Sequence, residues 1–273
     1  DLENTILIID EAHNLPDRIR NGLERRAILR VFRDARDEID EFLGTKERVM
    51  KKLDLSENHD NFDTRGINEA LRQMKKIFKH MNIWYKKKQS DLIKSGKKDM
   101  KIPTIEFIGE IDSILNEDLD AKIDNKYTML RKMINQLYRV KVEQDEEEDE
   151  KETASTRLAD ILSISLEYLH NPALVLVFDL LGDEGRVRSF LLDPGVVSGP
   201  ILASTSGAIL MSGTLFPPEM YSDLLQIPEN KRILMKEYES PFLGDKRPVL
   251  VAKDVTTKYT ERNFHNTEKI RKH

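Results

Sequence analysis

The residues best suited to chemistry stand together near the start of the chain. Asp10-Glu11-Ala12-His13 comes directly after Thr5-Ile6-Leu7-Ile8-Ile9, an aliphatic, β-branched run that reads as a strand buried on both faces of a parallel sheet. In open α/β sheets, ligands bind beyond the carboxyl ends of the strands, where Asp10 and Glu11 fall. In phosphoryl transfer to water, a carboxylate at such a place holds Mg²⁺, usually through water, and a neighbouring one orients or deprotonates the attacking water. Asp10 suits the first role and Glu11 the second. Ala12 keeps the turn slim, and His13 offers two ring nitrogens that could report nucleotide state to another part of the protein. An Asp-Glu pair alone more often ends a strand in solvent and caps the next segment. Four specified residues directly after an aliphatic strand are a much rarer coincidence.

Far along the chain a second buried-strand run, Ala208-Ile209-Leu210-Met211, ends in Ser212-Gly213-Thr214. Such a tripeptide is by itself most often a plain turn. Successive parallel strands are usually joined through a single crossover helix, whereas here most of the chain lies between the two strand ends. The economical arrangement is an α/β sheet domain interrupted by a helical insertion that leaves and re-enters at loops.

The intervening sequence supports that arrangement. Ile28, Val31, Phe32, Ala35, Ile39, Phe42 and Leu43 recur at three- and four-residue spacing and predict one long amphipathic helix, with Gly44 as its C-terminal cap. A second helix carries Ile67, Leu71, Met74, Phe78, Met81 and Tyr85, and a third starts near Pro103 with Phe107, Ile108, Ile111 and Leu115. A fourth runs through Ile123, Tyr127, Leu130, Ile134 and Leu137, and a fifth, with Leu158, Ile161, Leu162, Ser165, Leu166 and Leu169, ends at Asn171-Pro172. Between these two, the acidic run at residues 145–150 reads as a solvated connection. Strand character returns at residues 173–178 and 187–192 around the turn Gly182-Asp183-Glu184-Gly185, predicting a hairpin. A short helix from about Pro200 to Ser206 precedes the second strand end; beyond Phe216-Pro217-Pro218 come a small helix, a strand around residues 248–252 and a helix reaching His273. The expected domains are residues 1–16 and 171–217 as one α/β unit, residues 17–170 as the helical insertion, and residues 218–273 as the start of another unit.

Composition narrows the classes. With 34% charged residues and no apolar run of the roughly 20 residues that a membrane span needs, the chain reads as a non-membrane protein. No secretion leader precedes Asp1-Leu2-Glu3, so an intracellular fragment is expected. The absence of cysteine removes thiolate chemistry and Cys-ligated metal from what these residues can do alone. A net charge of −5 leaves nucleic-acid contact to local basic faces.

The string Ile8-Ile9-Asp10-Glu11-Ala12-His13-Asn14-Leu15 resembles motif II, the Walker B region or DEAH box, of the XPD-type iron–sulfur helicases of superfamily 2; Met211-Ser212-Gly213-Thr214-Leu215 resembles their motif III. Leu191-Leu192-Asp193-Pro194 and Ser240-Pro241-Phe242 are similar to stretches flanking motif III in prokaryotic members. That family also places a helical Arch domain between the two motifs. The resemblance spans the chain in order, with motifs II and III as its specific parts. It implies a RecA-like motor domain bearing a helical Arch insertion, followed by the start of a second RecA-like domain. The implied function is that of a fragment of an ATP-dependent 5′→3′ DNA helicase of nucleotide excision repair, translocating on the single strand of forked DNA. It further implies ATP and Mg²⁺ as cofactors, Asp10 as the Mg²⁺ residue, Glu11 and Asp10 as catalytic, and His13, Ser212, Gly213 and Thr214 as coupling ATP to DNA. A [4Fe-4S] cluster and repair proteins docking on the Arch also belong to the implied picture, in the cytoplasm of a prokaryote or the nucleus of a eukaryote. The family's Gly-Lys-Thr phosphate loop and its cluster cysteines do not occur in these residues, so the fragment alone is expected to be inactive. The related DinG-type helicases share both motifs and remain an alternative, as does a protein-docking module without activity of its own.

Lys75, Lys79, Lys86, Lys87 and Lys88 lie on the second helix among further basic residues, Lys76, His80, Lys94, Lys97 and Lys98. Such a face could contact DNA phosphates, but charged helix faces are more often only solvated or balanced by nearby acids. Trp84 could stack on a base, while Tyr85 continues the apolar stripe and should pack. His59, His80, His170, His265 and His273 have no metal-ligand spacing.

Overall fold

The computed structural model describes residues 2–52, 64–117, 127–142, 152–239 and 252–272. Two compact units result, Asp1–Lys231 and Arg232–His273. The first is mixed α/β, with one sheet of parallel strands and one of antiparallel strands. Among the described residues, no helix is long and apolar enough to cross a membrane.

The element order of the first unit is β1 (Ile6–Ile9), a 3-10 turn (Ala12–Asn14), α1 (Leu15–Gly22), β2 (Arg26–Ile28), α2 (Leu29–Lys52), α3 (Thr64–Ser95), β3 (Asp99–Ile102) and α4 (Thr104–Leu115). It continues with α5 (Thr128–Val142), α6 (Ala154–Glu167), β4 (Leu174–Leu181), β5 (Glu184–Leu191), α7 (Gly195–Ser204), β6 (Gly207–Leu210) and α8 (Pro218–Leu224). β1 and β6 pair in parallel, and the other four strands form an antiparallel sheet in the order β2-β5-β4-β3.

The hairpin lies in the second sheet, which corrects the expectation that residues 171–192 resume the sheet of β1. Among the described residues its strands pair, as strands, with each other and with β2 and β3, both inside the segment read as helical. The physical reason lies in the alternation. Along β5, and along β4 from Leu174 to Phe178, every second residue is buried, which suits a one-faced antiparallel sheet. Ala27, Val187, Phe178 and Met100 stand side by side in register, and the first three are wholly inaccessible. Their row packs into one hydrophobic core with α2 to α6. Gly182, at φ +62°, makes the turn. Gly185 leaves room for the Phe178 ring, which a Cβ would approach to 2.5 Å. Around that ring Trp84 and Tyr85 meet it edge-on at 6.1 and 5.7 Å, and both are 5% exposed or less. Trp84 is therefore a core residue rather than a base-stacking platform.

On the other face of this sheet Asp179 is directly opposite Arg186. Arg186 grips its carboxylate through Nε and Nη2, both at 2.8 Å, and Arg188 adds Nη2 at 2.8 Å. Burial alone would raise the Asp179 pKa; the hydrogen bond from Arg186 and the two guanidinium charges outweigh it and hold the carboxyl below its ordinary range.

Three helix boundaries differ from the periodicity reading. α2 begins after Ile28, which is in a strand, and continues through Gly44 to Lys52; the run Lys46-Glu47-Arg48 and Met50-Lys51-Lys52 consists of strong helix formers that offset the roughly 1 kcal/mol cost of a helical glycine. α7 starts at Gly195, because Asp193 Oδ1 accepts the Gly195 N–H at 2.9 Å, and Pro200 is inside it. β1 is not buried on both faces: Ile6 and Ile8 are 64% and 66% exposed, since among the described residues β6 is its sole strand neighbour and that face is uncovered. Ile123, the acidic run at 145–150, Ser240-Pro241-Phe242, residues 248–251 of the strand expected around 248–252, His59 and His273 are outside the described residues, and Ala252 is in no strand.

The second unit contains a 3-10 turn at Tyr259–Glu261 and α9 (Phe264–Lys272). The Asn266 side chain accepts the Thr256 N–H at 3.1 Å and donates to the Thr256 carbonyl. The division thus falls after Lys231 rather than at 217, because α8 packs with the first unit: Ser198 Oγ donates to the Leu225 carbonyl at 2.8 Å.

A carboxylate from α2 closes the N-terminus of α6. Glu38 accepts the Ala154 and Ser155 N–H groups, both at 2.8 Å, and the Ser155 hydroxyl at 2.7 Å, satisfying amides that have no partner within the helix. Glu38→Ala is expected to lower unfolding stability by about 1–3 kcal/mol, read as a lower urea midpoint with unchanged slope; an unmoved midpoint would show the cap to be dispensable.

Candidate functional site at the paired strand ends

The site is built where β1 and β6 stop. Their register sets Ile6 against Gly207 and Ile9 against Leu210, so both chains leave the sheet from the same end. The ladder continues past the strands: Met211 N–H donates to the Ile9 carbonyl at 3.0 Å, and Ala12 N–H to the Met211 carbonyl at 3.0 Å. Between those bonds Glu11 adopts a left-handed conformation, φ 50° and ψ 41°, which costs a non-glycine residue on the order of 1–3 kcal/mol. The kink swings the chain into the 3-10 turn and buries Ala12 completely.

Side chains then close the gap between the two segments. His13 Nδ1 is 2.8 Å from Ser212 Oγ, across 199 positions of sequence, and 3.1 Å from Glu11 Oε2. Ser212 Oγ accepts the Thr214 N–H at 3.1 Å and is 3.5 Å from both Glu11 Oε2 and Thr214 Oγ1. The Glu11 carboxylate can only accept, so its approach to Nδ1 favours the tautomer with the proton there. Asp10 stands apart: its Oδ1 accepts the Glu11 N–H at 2.8 Å, and the side chain is exposed at the strand end.

The structure thus brings Glu11, His13, Ser212 and Thr214 into one hydrogen-bonded group, with Asp10 beside it. Gly213 adjoins them, yet a Cβ there would meet no protein atom within 4 Å, so no close approach of the described residues requires glycine. Mg²⁺ commonly takes one or two protein carboxylates and completes its octahedron with water and phosphate oxygens; a single exposed Asp10 fits that habit. No cluster of three or more potential ligands occurs among the described residues. An iron–sulfur cluster does not fit, because the chain offers no thiolate.

The lysines of α3 divide into two sets. Lys88 is 2.5 Å from Glu106 and over the Trp84 ring, and its side chain is only 17% exposed, so it serves α3–α4 packing and leaves the expected DNA-contacting group. Lys75, Lys79, Lys86 and Lys87 are exposed.

Sequence reasoning missed the clip that ties the outgoing chain of the site to the insertion. Ser189 Oγ accepts the Arg25 N–H at 2.8 Å and donates to the Leu23 carbonyl at 2.9 Å. Arg25 Nε donates to Asp160 at 3.1 Å, and Tyr138 donates to the same carboxylate at 2.7 Å. Burial and that carboxylate push the Tyr138 phenol up to about 12. The one available signal was Ser189 itself, a polar residue at an inward position of β5.

Compared with known proteins, the chain matches no protein-family model and no curated protein.

In a ¹⁵N-histidine-labelled sample at a pH where the ring is neutral, His13 is expected to show the Nδ1–H tautomer, and Glu11→Gln is expected to shift the balance toward Nε2–H. A wild-type ring already protonated at Nε2 would contradict the hydrogen-bond assignment.

Proposed function

We propose that this chain is the central part of an ATP-dependent 5′→3′ DNA helicase of the XPD type, in which Asp10 and Glu11 serve ATP hydrolysis and His13, Ser212 and Thr214 carry its consequence to DNA. The observation that supports this most is the contact of His13 with Ser212. A strand-end carboxylate pair and a distant Ser-Gly-Thr, each commonplace alone, meet at hydrogen-bond distance through the parallel pairing of β1 with β6.

The residues have distinct work in this reading. Asp10 holds Mg²⁺ through its outward carboxylate, and the metal, when bound, screens the charge of the phosphate oxygens. Glu11 polarises the attacking water. Its second task is to hold His13, so a change at the carboxylate reaches Ser212 through one imidazole. The phosphate-gripping lysine is not among these residues and would come from outside them, as would any iron–sulfur cluster. Nucleotide excision repair as the setting, single-stranded and forked DNA as substrates, and repair proteins docking on the insertion belong to this proposal. The DinG-type helicases remain the neighbouring reading, since nothing at the site separates the two.

In the intact helicase, Glu11→Gln is expected to retain ATP binding while lowering turnover by about 10²-fold or more. Undiminished turnover would remove Glu11 from its role. The 273-residue chain alone is expected to show no DNA-stimulated ATP hydrolysis.

A further inference from the structure

α3 carries no aspartate or glutamate between Glu69 and Asp91, and α4 sorts its basic residues. Toward α4, Lys76, His80 and Lys88 meet Glu117, Glu110 and Glu106 at 3.8, 2.6 and 2.5 Å. Away from it, Lys75, Lys79 and Lys86 are exposed and have no acidic partner among the described residues. At 100° per residue, Lys75, Lys79 and Lys86 fall within about 40° of one another, on a straight stripe roughly 16 Å long, whereas the exposed Lys87 lies about 80–120° round the helix from them, level with Lys76 and His80. Arg72, at the start of the stripe, is held by Glu69 through two bonds of 2.9 and 3.0 Å.

The chemistry of the stripe selects among polyanions. Lysine ammonium groups are point charges without the fork that reads bases or paired carboxylates, and they suit phosphates met without regard to sequence. A single strand would call for exposed rings on which its bases stack, but Trp84 and Tyr85 are turned into the core. An acidic partner helix would call for apolar anchors at three- and four-residue spacing; the exposed isoleucines, Ile83 and Ile93, are ten positions apart. A duplex, with its bases stacked inside and its phosphates outside, needs neither.

We propose that Lys75, Lys79 and Lys86 form a docking track for the phosphate backbone of double-stranded DNA. The track uses no residue of the strand-end site, so it stands or falls separately from the ATP reading. It adds a contact to the duplex rather than to the translocated strand.

The test is fluorescence anisotropy of a labelled duplex of about 20 base pairs, a single strand of the same length and polyglutamate with the 273-residue chain, without ATP, across salt concentrations. The parent chain is expected to bind the duplex with a log–log salt slope near −2.7, about −0.9 for each of the three lysines. Replacing all three by glutamine is expected to abolish most of that slope and weaken binding at low salt by roughly a hundredfold, whereas Lys76→Gln with Lys88→Gln leaves the slope unchanged. Equal duplex binding by the triple variant, with its circular dichroism unaltered, would overturn the proposal. Tighter binding of the single strand, or of polyglutamate, would also overturn it.

Discussion

Four residue pairs of parallel strand, Ile6 to Ile9 against Gly207 to Leu210, hold the two ends of a very long excursion together. Closing a loop of that length costs conformational entropy, but the cost grows only logarithmically with length. A folded insertion whose own exit and entry points lie close together lowers it further. Everything chemical in the first unit depends on this pairing, because without it His13 and Ser212 belong to unrelated stretches of chain.

The chain between β1 and β6 keeps its points of exit and entry close through a second sheet. β2 follows α1 almost at once and is stitched to β5, and β5 leads through Asp193 into α7 and β6. The chain leaving the site and the chain returning to it are therefore neighbours in one antiparallel sheet. Ser189, Arg25, Asp160 and Tyr138 fix that crossing with hydrogen bonds between backbone, β5, α5 and α6. Only a short route of chain separates the strand ends from the helices: α1 begins at Leu15, just after His13, and leads within a few residues to the clip. The left-handed Glu11 is the strained element in that route, held by backbone bonds on both sides.

Much of this was legible in the sequence, for identifiable reasons. Five aliphatic or β-branched residues before Asp10 and four apolar ones before Ser212 were enough to mark the two strands, and the three- and four-residue spacing of Ile67 through Tyr85 marked α3. What was not legible depends on partners. β2 has three residues and β3 has four, Asp99-Met100-Lys101-Ile102, too few for an alternating pattern to stand out; they are strands because the long edges of the hairpin offer them hydrogen bonds. The hairpin itself was recognised, but which sheet it joins is decided by Phe178 and Val187 facing the helices, and that is a property of packing. Gly44 read as a stop because glycine usually ends helices, while the helix formers after it carry α2 onward. The sorting of the α3 lysines was hidden for the same reason: Glu106, Glu110 and Glu117 lie beyond α3, in α4 and just after it.

The claim that two distant segments act as one unit is tested most directly by a double-mutant cycle on DNA-stimulated ATP turnover in the intact protein, using His13→Ala, Ser212→Ala and the pair together. If the 2.8 Å contact carries the coupling, either single change removes most of the stimulation and the double variant is little worse than the weaker single, a strongly non-additive cycle. Losses that simply multiply, each substitution acting without regard to the other, would contradict the account.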